Sequence, residues 1–265
     1  MGADGDGDDG TDGGFAPVTV AGKTAVVIGG TSGIGEAIAL GFAADGADVV
    51  ATSRSAERVA ETAGKLRERG ASTIERTCDV TDRETIERLR EAVHDEVGAV
   101  DVLVTSAGAV SRESVLDVPE SEWQRVLDVQ LDGVYRAVQT FARGMDEGSV
   151  VAVSSAASRL AMSELSAYSA AKGGTDAFVR AASKELAPDI RVNALAPGFV
   201  ITPQNADTYA EGTEKRTIID RRTPMGRVAA REEMVGAAVY LASDAASFTT
   251  GEVLTVDGGF SRSAL

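Results

Sequence analysis

Short, continuously apolar runs alternate with longer amphipathic stretches from Thr24 to Val256. The runs Thr24–Ile28, Asp48–Thr52, Thr73–Asp79, Val100–Thr105, Ser149–Ser154, Arg191–Ala196 and Val253–Val256 predict seven strands. Between them the apolar spacing predicts helices ending at Ala44 and over Glu57–Arg69, Arg83–Val97, Glu120–Arg143 and Tyr168–Leu186, with a short one at Glu232–Ala242. Strands that are apolar on both faces and separated by helices belong to a parallel sheet covered on both sides. The prediction is therefore an α/β fold, a doubly wound three-layer α/β/α domain with a mainly seven-stranded parallel sheet. One domain over residues 17–265 accounts for the even spread of apolar segments. The rhythm stops after Pro197. Residues 202–227 are polar, weakly helical and poor in apolar anchors, which marks them as a substrate lid or a plain surface excursion. Residues 1–16, with Gly and Asp alternating over Met1–Gly14, have little to bury and read as a disordered acidic tail.

Charge narrows the partners. The net charge of −15 disfavours nucleic acid and anionic membrane surfaces. Lysine is confined to Lys23, Lys65, Lys172, Lys184 and Lys215 while aspartate and arginine are abundant, a composition expected of a protein adapted to high salt. The single cysteine, Cys78, permits no intrachain disulfide and fits core packing in a reducing interior. His94 has no second histidine with which to share a metal, and no metal site is expected. No apolar segment reaches the ~18 residues that span a bilayer, and the start lacks a basic, apolar leader. The expected location is the cytoplasm.

Candidate chemistry falls where the predicted strands end. Gly29-Gly30-Thr31-Ser32-Gly33-Ile34-Gly35 follows the first strand and opens a helix, so backbone N–H groups and the helix N-terminus can face a pyrophosphate. After the second strand, Ser53-Arg54 stands where a carboxylate would read a ribose hydroxyl and a base would hold a 2′-phosphate. Arg54 favours NADP over NAD. Ser106-Ala107-Gly108 and Pro197-Gly198 place small residues at the same sheet edge, where a flat ligand can pass close to the backbone. Tyr168 and Lys172, four positions apart, share a helix face, and Ser155 closes the preceding strand. Together they outline a proton-transfer site.

In these residues the chain resembles the short-chain dehydrogenases/reductases, in their compact single-domain subgroup. The resemblance covers Lys23 to the C-terminus and implies a Rossmann-type fold. It implies that Gly29, Thr31, Ser32, Gly33, Ile34 and Gly35 form the cofactor turn, with Ser53 and Arg54 beside it. Asp79-Val80 would contact adenine, and Ser106-Ala107-Gly108 is similar to the family's N-A-G motif. Arg191–Ala194 and the segment bearing Pro197, Gly198, Val200 and Thr202 would hold the nicotinamide end. Tyr168 would be the general acid or base, Ser155 would polarise the substrate oxygen, and Lys172 would bind the ribose and lower the tyrosine pKa. The family's habit implies a homotetramer, and the C-terminal Gly251 and Asp257-Gly258-Gly259 are most similar to 3-oxoacyl-carrier-protein reductases and sugar 1-dehydrogenases.

The departures are specific. Ile28 replaces a threonine, Ser106 an asparagine, and Gln130 stands where the fourth catalytic asparagine is usual. Gln130 offers the same amide one methylene further out, for an altered proton relay. The expected activity is NADP-dependent hydride transfer between the cofactor and a carbonyl or secondary alcohol, and Arg216, Arg221 and Arg222 read first as solvated charges, with an anionic substrate such as an acyl thioester as the other reading. The alternative, carried by the altered Gln130 and Ser106, is a dinucleotide-binding sensor without turnover.

Overall fold

The computed structural model describes residues 16–262. The expected acidic tail, up to residue 15, lies outside them. The chain runs β1 (Thr24–Ile28), α1 (Gly33–Ala44), β2 (Asp48–Thr52), α2 (Ala56–Arg67), α3 (Arg83–Glu96), β3 (Val102–Thr105), α4 (Glu120–Leu127), α5 (Gly133–Ala142) and β4 (Gly148–Val153). It continues through α6 (Ser166–Leu186), β5 (Ile190–Pro197), β6 (Val200–Ile201), α7 (Glu214–Arg222), β7 (Ala229–Ala230), α8 (Val235–Ala242) and β8 (Val253–Val256).

Six strands pair in parallel in the order β2-β1-β3-β4-β5-β8. Their alternate side chains serve two cores. Val26 and Ile28 pack with Ile86, Leu89 and Phe141 on one face, and Ala25 and Val27 with Ile38, Phe42 and Leu241 on the other. This is the three-layer architecture the pattern predicts. The chain order reverses between β1 and β3, whose last residues, Ile28 and Thr105, pair in register. In open parallel sheets ligands bind at such a reversal, beyond the carboxyl ends of the strands.

The seventh strand needs correction. Residues 73–79 form no ladder; the segment touches β2 through Val49 N–H to Ser72 O at 3.1 Å and Cys78 N–H to Ser53 O at 3.0 Å. Between these, the Thr52 hydroxyl donates to Arg76 O at 2.6 Å. Glu75, Arg76 and Thr77 are exposed, so the middle of this edge has no apolar face to hold it flat. The long helix predicted over Glu120–Arg143 is likewise two helices, joined by a π-helical turn at Asp128–Asp132.

Arg191–Ala194 also departs from expectation. Arg191 donates to Leu241 O at 2.8 Å and Ser243 O at 3.0 Å. Asn193, fully buried, donates to Thr249 O and accepts from Glu252 N–H. These side chains clamp the approach to β8 at the amino end of β5, away from the ligand edge. Residues 202–227 are better anchored than their polarity predicts. Tyr209, Ile219 and Val228 pack with Phe199 and Ile201 into a small core of their own.

Candidate active site

Two cavities, of about 820 and 130 Å³, lie along the ligand edge and share Ser32, Ser106, Ala107 and Gly108. The turn after β1 is shaped by close approach. A Cβ on Gly29, whose φ is +80°, would stand 2.7 Å from Ala107 Cα, so only glycine lets the β1 and β3 turns touch. Gly35 has no room either, since its Cβ would meet the Gly29 carbonyl. Ser32, extended, starts α1 with no side-chain cap, which leaves the helix N–H groups facing the shared wall of the cavities. Thr202 and Gln204 stand 3.5 Å from where a Gly33 Cβ would be, so the start of the 202–227 segment rests on this turn.

The smaller cavity is lined by Gly29, Thr31, Ser53, Arg54, Asp79 and Val80, all singled out in the sequence, and by Arg58. Thr31 donates to Ser53 Oγ at 2.7 Å, joining the two turns. Asp79 turns its carboxylate to Thr81, at 2.8 Å from the hydroxyl. Arg58 is missed by sequence reading. Its backbone N–H caps onto Ser55 Oγ in the first turn of α2, and a basic residue one helical turn after Arg54 is the signal that reveals it. Arg54 and Arg58 thus line one cavity with Ser53, where no carboxylate stands.

The larger cavity brings together Gln130, Tyr168, Lys172, Pro197, Gly198, Val200 and Thr202 with Gly33 and Ile34. Lys172 is 4% exposed and donates to Val153 O at 2.6 Å. Its ammonium stands 5.7 Å from the Tyr168 ring centre. Burial pushes this lysine down to about 8, with Asp176 opposing. Burial raises the Tyr168 phenol above its ordinary value, and the hydrogen bond with Ser155 works against that rise. The expected lowering by Lys172 is thus not found in the chain alone; Ser155 and Arg112 supply the favourable contributions. Ser155 also accepts from Ala157 N–H at 3.1 Å, which fixes its rotamer as it leaves β4.

Gln130 sits in the π turn, 2% exposed. Its Nε2 donates to Ala109 O at 2.9 Å while Oε1 is buried without a partner, and its backbone carbonyl accepts from Thr175. A π turn widens a helix by one residue and is frequent at functional sites. Here it delivers Gln130 to the cavity wall. Ser106 fills the place of the usual asparagine and holds the turn through its backbone N–H to Ile28 O at 2.7 Å.

Of the three arginines weighed for an anionic substrate, only Arg222 lines the cavity. Arg216 is tied to Asp220 at 2.7 Å and to Tyr209 O at 3.1 Å. Arg112 and Lys215, which the sequence reading passed over, line it instead. Among the described residues no group of acidic, histidine and cysteine side chains could hold a metal, and no helix is long and apolar enough to cross a membrane.

A glycine-turn dinucleotide cradle beside a half-buried tyrosine and a buried lysine defines a pyridine-nucleotide oxidoreductase of the α/β class. The family model described as enoyl-(acyl carrier protein) reductase matches residues 29–261, and the chain belongs to this family, the short-chain dehydrogenases/reductases. It is 38% identical over 90% of its length to 3beta-hydroxysteroid dehydrogenase 1 of Eggerthella lenta, covering 93% of that protein. It is 33% identical over 91% to 5-keto-D-gluconate 5-reductase of Escherichia coli, covering 96% of it. A solved gluconate 5-dehydrogenase from Burkholderia cenocepacia, in complex with NADP and tartrate, superimposes with a TM-score of 0.89 at 30% identity, over 94% of this chain and 99% of that one.

Proposed function

We propose that this enzyme interconverts a secondary alcohol and its carbonyl with NADP, Tyr168 acting as the general acid–base. The observation that carries the proposal is the meeting of Tyr168 and Lys172 at one cavity that also takes in Gly33 and Ile34 of the glycine turn, with Ser155 hydrogen-bonded to Tyr168 from behind the cavity wall. When bound, the nicotinamide supplies the hydride. The chain's own residues manage the proton. The Tyr168 phenol holds its proton at neutral pH, the form an acid needs to donate to the oxygen that becomes an alkoxide in reduction. Ser155 offers that oxygen a hydrogen bond. Lys172 remains cationic below about pH 8 and, with one donor spent on Val153 O, has two left for ribose hydroxyls.

Arg54 and Arg58 beside Ser53 support NADP as the preferred cofactor over NAD, and the NADP-bound relative supports the same choice. Asp79, Val80, Ser106, Ala107, Gly108, Pro197, Gly198, Val200 and Thr202 are assigned to cofactor binding, Gln130 to the proton relay, and residues 202–227 to a lid. We place the enzyme in the cytoplasm, as a homotetramer adapted to high salt. The test follows NADPH and NADH absorbance against a panel of ketones, 3-oxoacyl thioesters and keto sugars in molar KCl. Turnover with NADPH at least tenfold more efficient than with NADH is expected; equal efficiency sinks the cofactor assignment, and no turnover of any member sinks the activity.

A further inference from the structure

The larger cavity holds a group of cations that proton transfer leaves unused. Arg112, Lys215 and Arg222 line it together with Lys172, and Glu164 is the one carboxylate among the lining residues. This reverses the chain's own balance of 41 acidic to 26 basic residues, in which only five are lysines. A cationic cavity in so acidic a protein is set against the field of the whole molecule.

The cations are arranged around an aromatic shelf. Phe199 meets Tyr209 edge-on at 5.9 Å and Phe260 at 4.9 Å. The Lys215 ammonium stands 5.8 Å from the centre of the Tyr209 ring and the Arg222 guanidinium 4.8 Å from that of Phe260. Arg112 hydrogen-bonds the Tyr209 hydroxyl, and its charge reaches the Tyr168 phenol as well. Among the described residues no ion pair engages Arg112 or Lys215, whereas the neighbouring Arg216 is spent on Asp220. Ring faces can position a cation without neutralising it, which leaves its donors for an anion. The shelf thus brings Arg112 and Lys215 to one ring, and Arg112 links that ring to the proton donor.

We propose that the substrate bears a carboxylate, held by Arg112 and Lys215 over Tyr209, so that its carbonyl or alcohol carbon meets Tyr168: a small oxo acid or hydroxy acid. This deepens the proposed reading of Tyr168 and rests on it for turnover. A guanidinium fork matches the two carboxylate oxygens, and a charge-assisted pair of this kind separates an acid from its neutral ester by roughly ten- to a hundredfold.

The test uses two matched pairs with NADPH at fixed molar KCl: 4-oxocyclohexanecarboxylate against its methyl ester, and 5-keto-gluconate against fructose. In at least one pair the acid is expected to exceed the neutral partner tenfold or more in kcat/KM. Arg112→Gln and Lys215→Gln each reduce that ratio at least fivefold, chiefly through KM. Arg221→Gln, on the same helix but off the cavity wall, leaves the ratio within twofold. Calorimetric binding of the same compounds to the NADPH complex of Tyr168→Phe separates recognition from chemistry. Preferential binding of an acid there supports the carboxylate site even if turnover proves independent of Tyr168, in which case the proton-donor reading alone fails. The proposal is overturned if neither pair shows an acid preference in turnover or binding, or if both substitutions leave the ratio unchanged.

Discussion

Lys172 is a charge in a dry place, and its energetics set its use. The folded chain gives up this proton near pH 8, while an unfolded lysine keeps it to about 10.5. The charged form therefore costs the fold stability below pH 8, and that cost is relieved as pH rises from about 8 toward 10. Tyr168 acts in the opposite sense above about pH 10, where the unfolded phenol ionises before the folded one. Urea midpoints of the parent and of Lys172→Met should diverge in the parent's favour from about pH 8 to 10; parallel curves would contradict the burial of the charge. Gln130 has one amide atom engaged and one buried oxygen without a partner. Gln130→Asn shortens the reach to Ala109 O, costing about 1 kcal/mol of stability, and should change the rate at least threefold with a shifted pH profile. An unchanged rate and profile would remove Gln130 from the relay. Ser155, Tyr168 and Lys172 are legible in sequence because a helical spacing of four puts two of them on one face. The orientation of Gln130 is not legible, because an apolar pattern carries no mark of a π turn.

At the scale of elements, α1 is held in place by a charged knot. Glu36, 7% exposed in its first turn, accepts from Lys65 of α2 at 2.9 Å and from Arg231, just before α8, at 2.6 Å. Burial alone would raise this carboxyl, yet the two hydrogen bonds and charges hold it below its ordinary value. Its contribution is present above about pH 4.5 and is lost as pH falls through the lowered value. Glu36→Gln should cost about 2 kcal/mol at pH 7 in a denaturant titration, because a neutral amide replaces the buried carboxylate's charge-assisted bonds, while Lys65 keeps Glu61 and Arg231 keeps Glu232. A loss below ~1 kcal/mol would show the knot to be decorative. The turn between β2 and α2 makes a sharper point. Arg54 is visible as a base in the position proposed to choose the cofactor, but Arg58 enters the same cavity only because Ser55 caps α2 there. Arg54→Ala with Arg58→Ala should lower NADPH efficiency at least tenfold while leaving NADH within about threefold, since charge-assisted bonds to phosphate are the ones removed. The edge segment at 73–79 departs from the strand its sequence predicts for a related reason: apolar content predicts burial, and the exposure of Glu75–Thr77 depends on the segment lying outside β2.

At the scale of the molecule, most of the architecture follows from strands apolar on both faces, and the site follows from where the chain reverses direction across the sheet. What the sequence does not display is the small core that anchors the 202–227 segment, because Tyr209, Ile219 and Val228 are too far apart to form a periodic signal. The charge of −15 is a further global property. Salt screens such self-repulsion over about 10 Å at 0.1 M and 3 Å at 1 M, so thermal stability should rise between low and molar KCl, and a flat response would refute the adaptation to high salt. The central claim, proton transfer by Tyr168, is tested most directly by single-turnover oxidation of NADPH by Tyr168→Phe. The substitution removes one hydroxyl and leaves the ring, so NADPH should bind within about threefold of the parent while the hydride-transfer rate falls by roughly 10²–10⁴. A rate within twofold of the parent, with binding intact, would contradict the account.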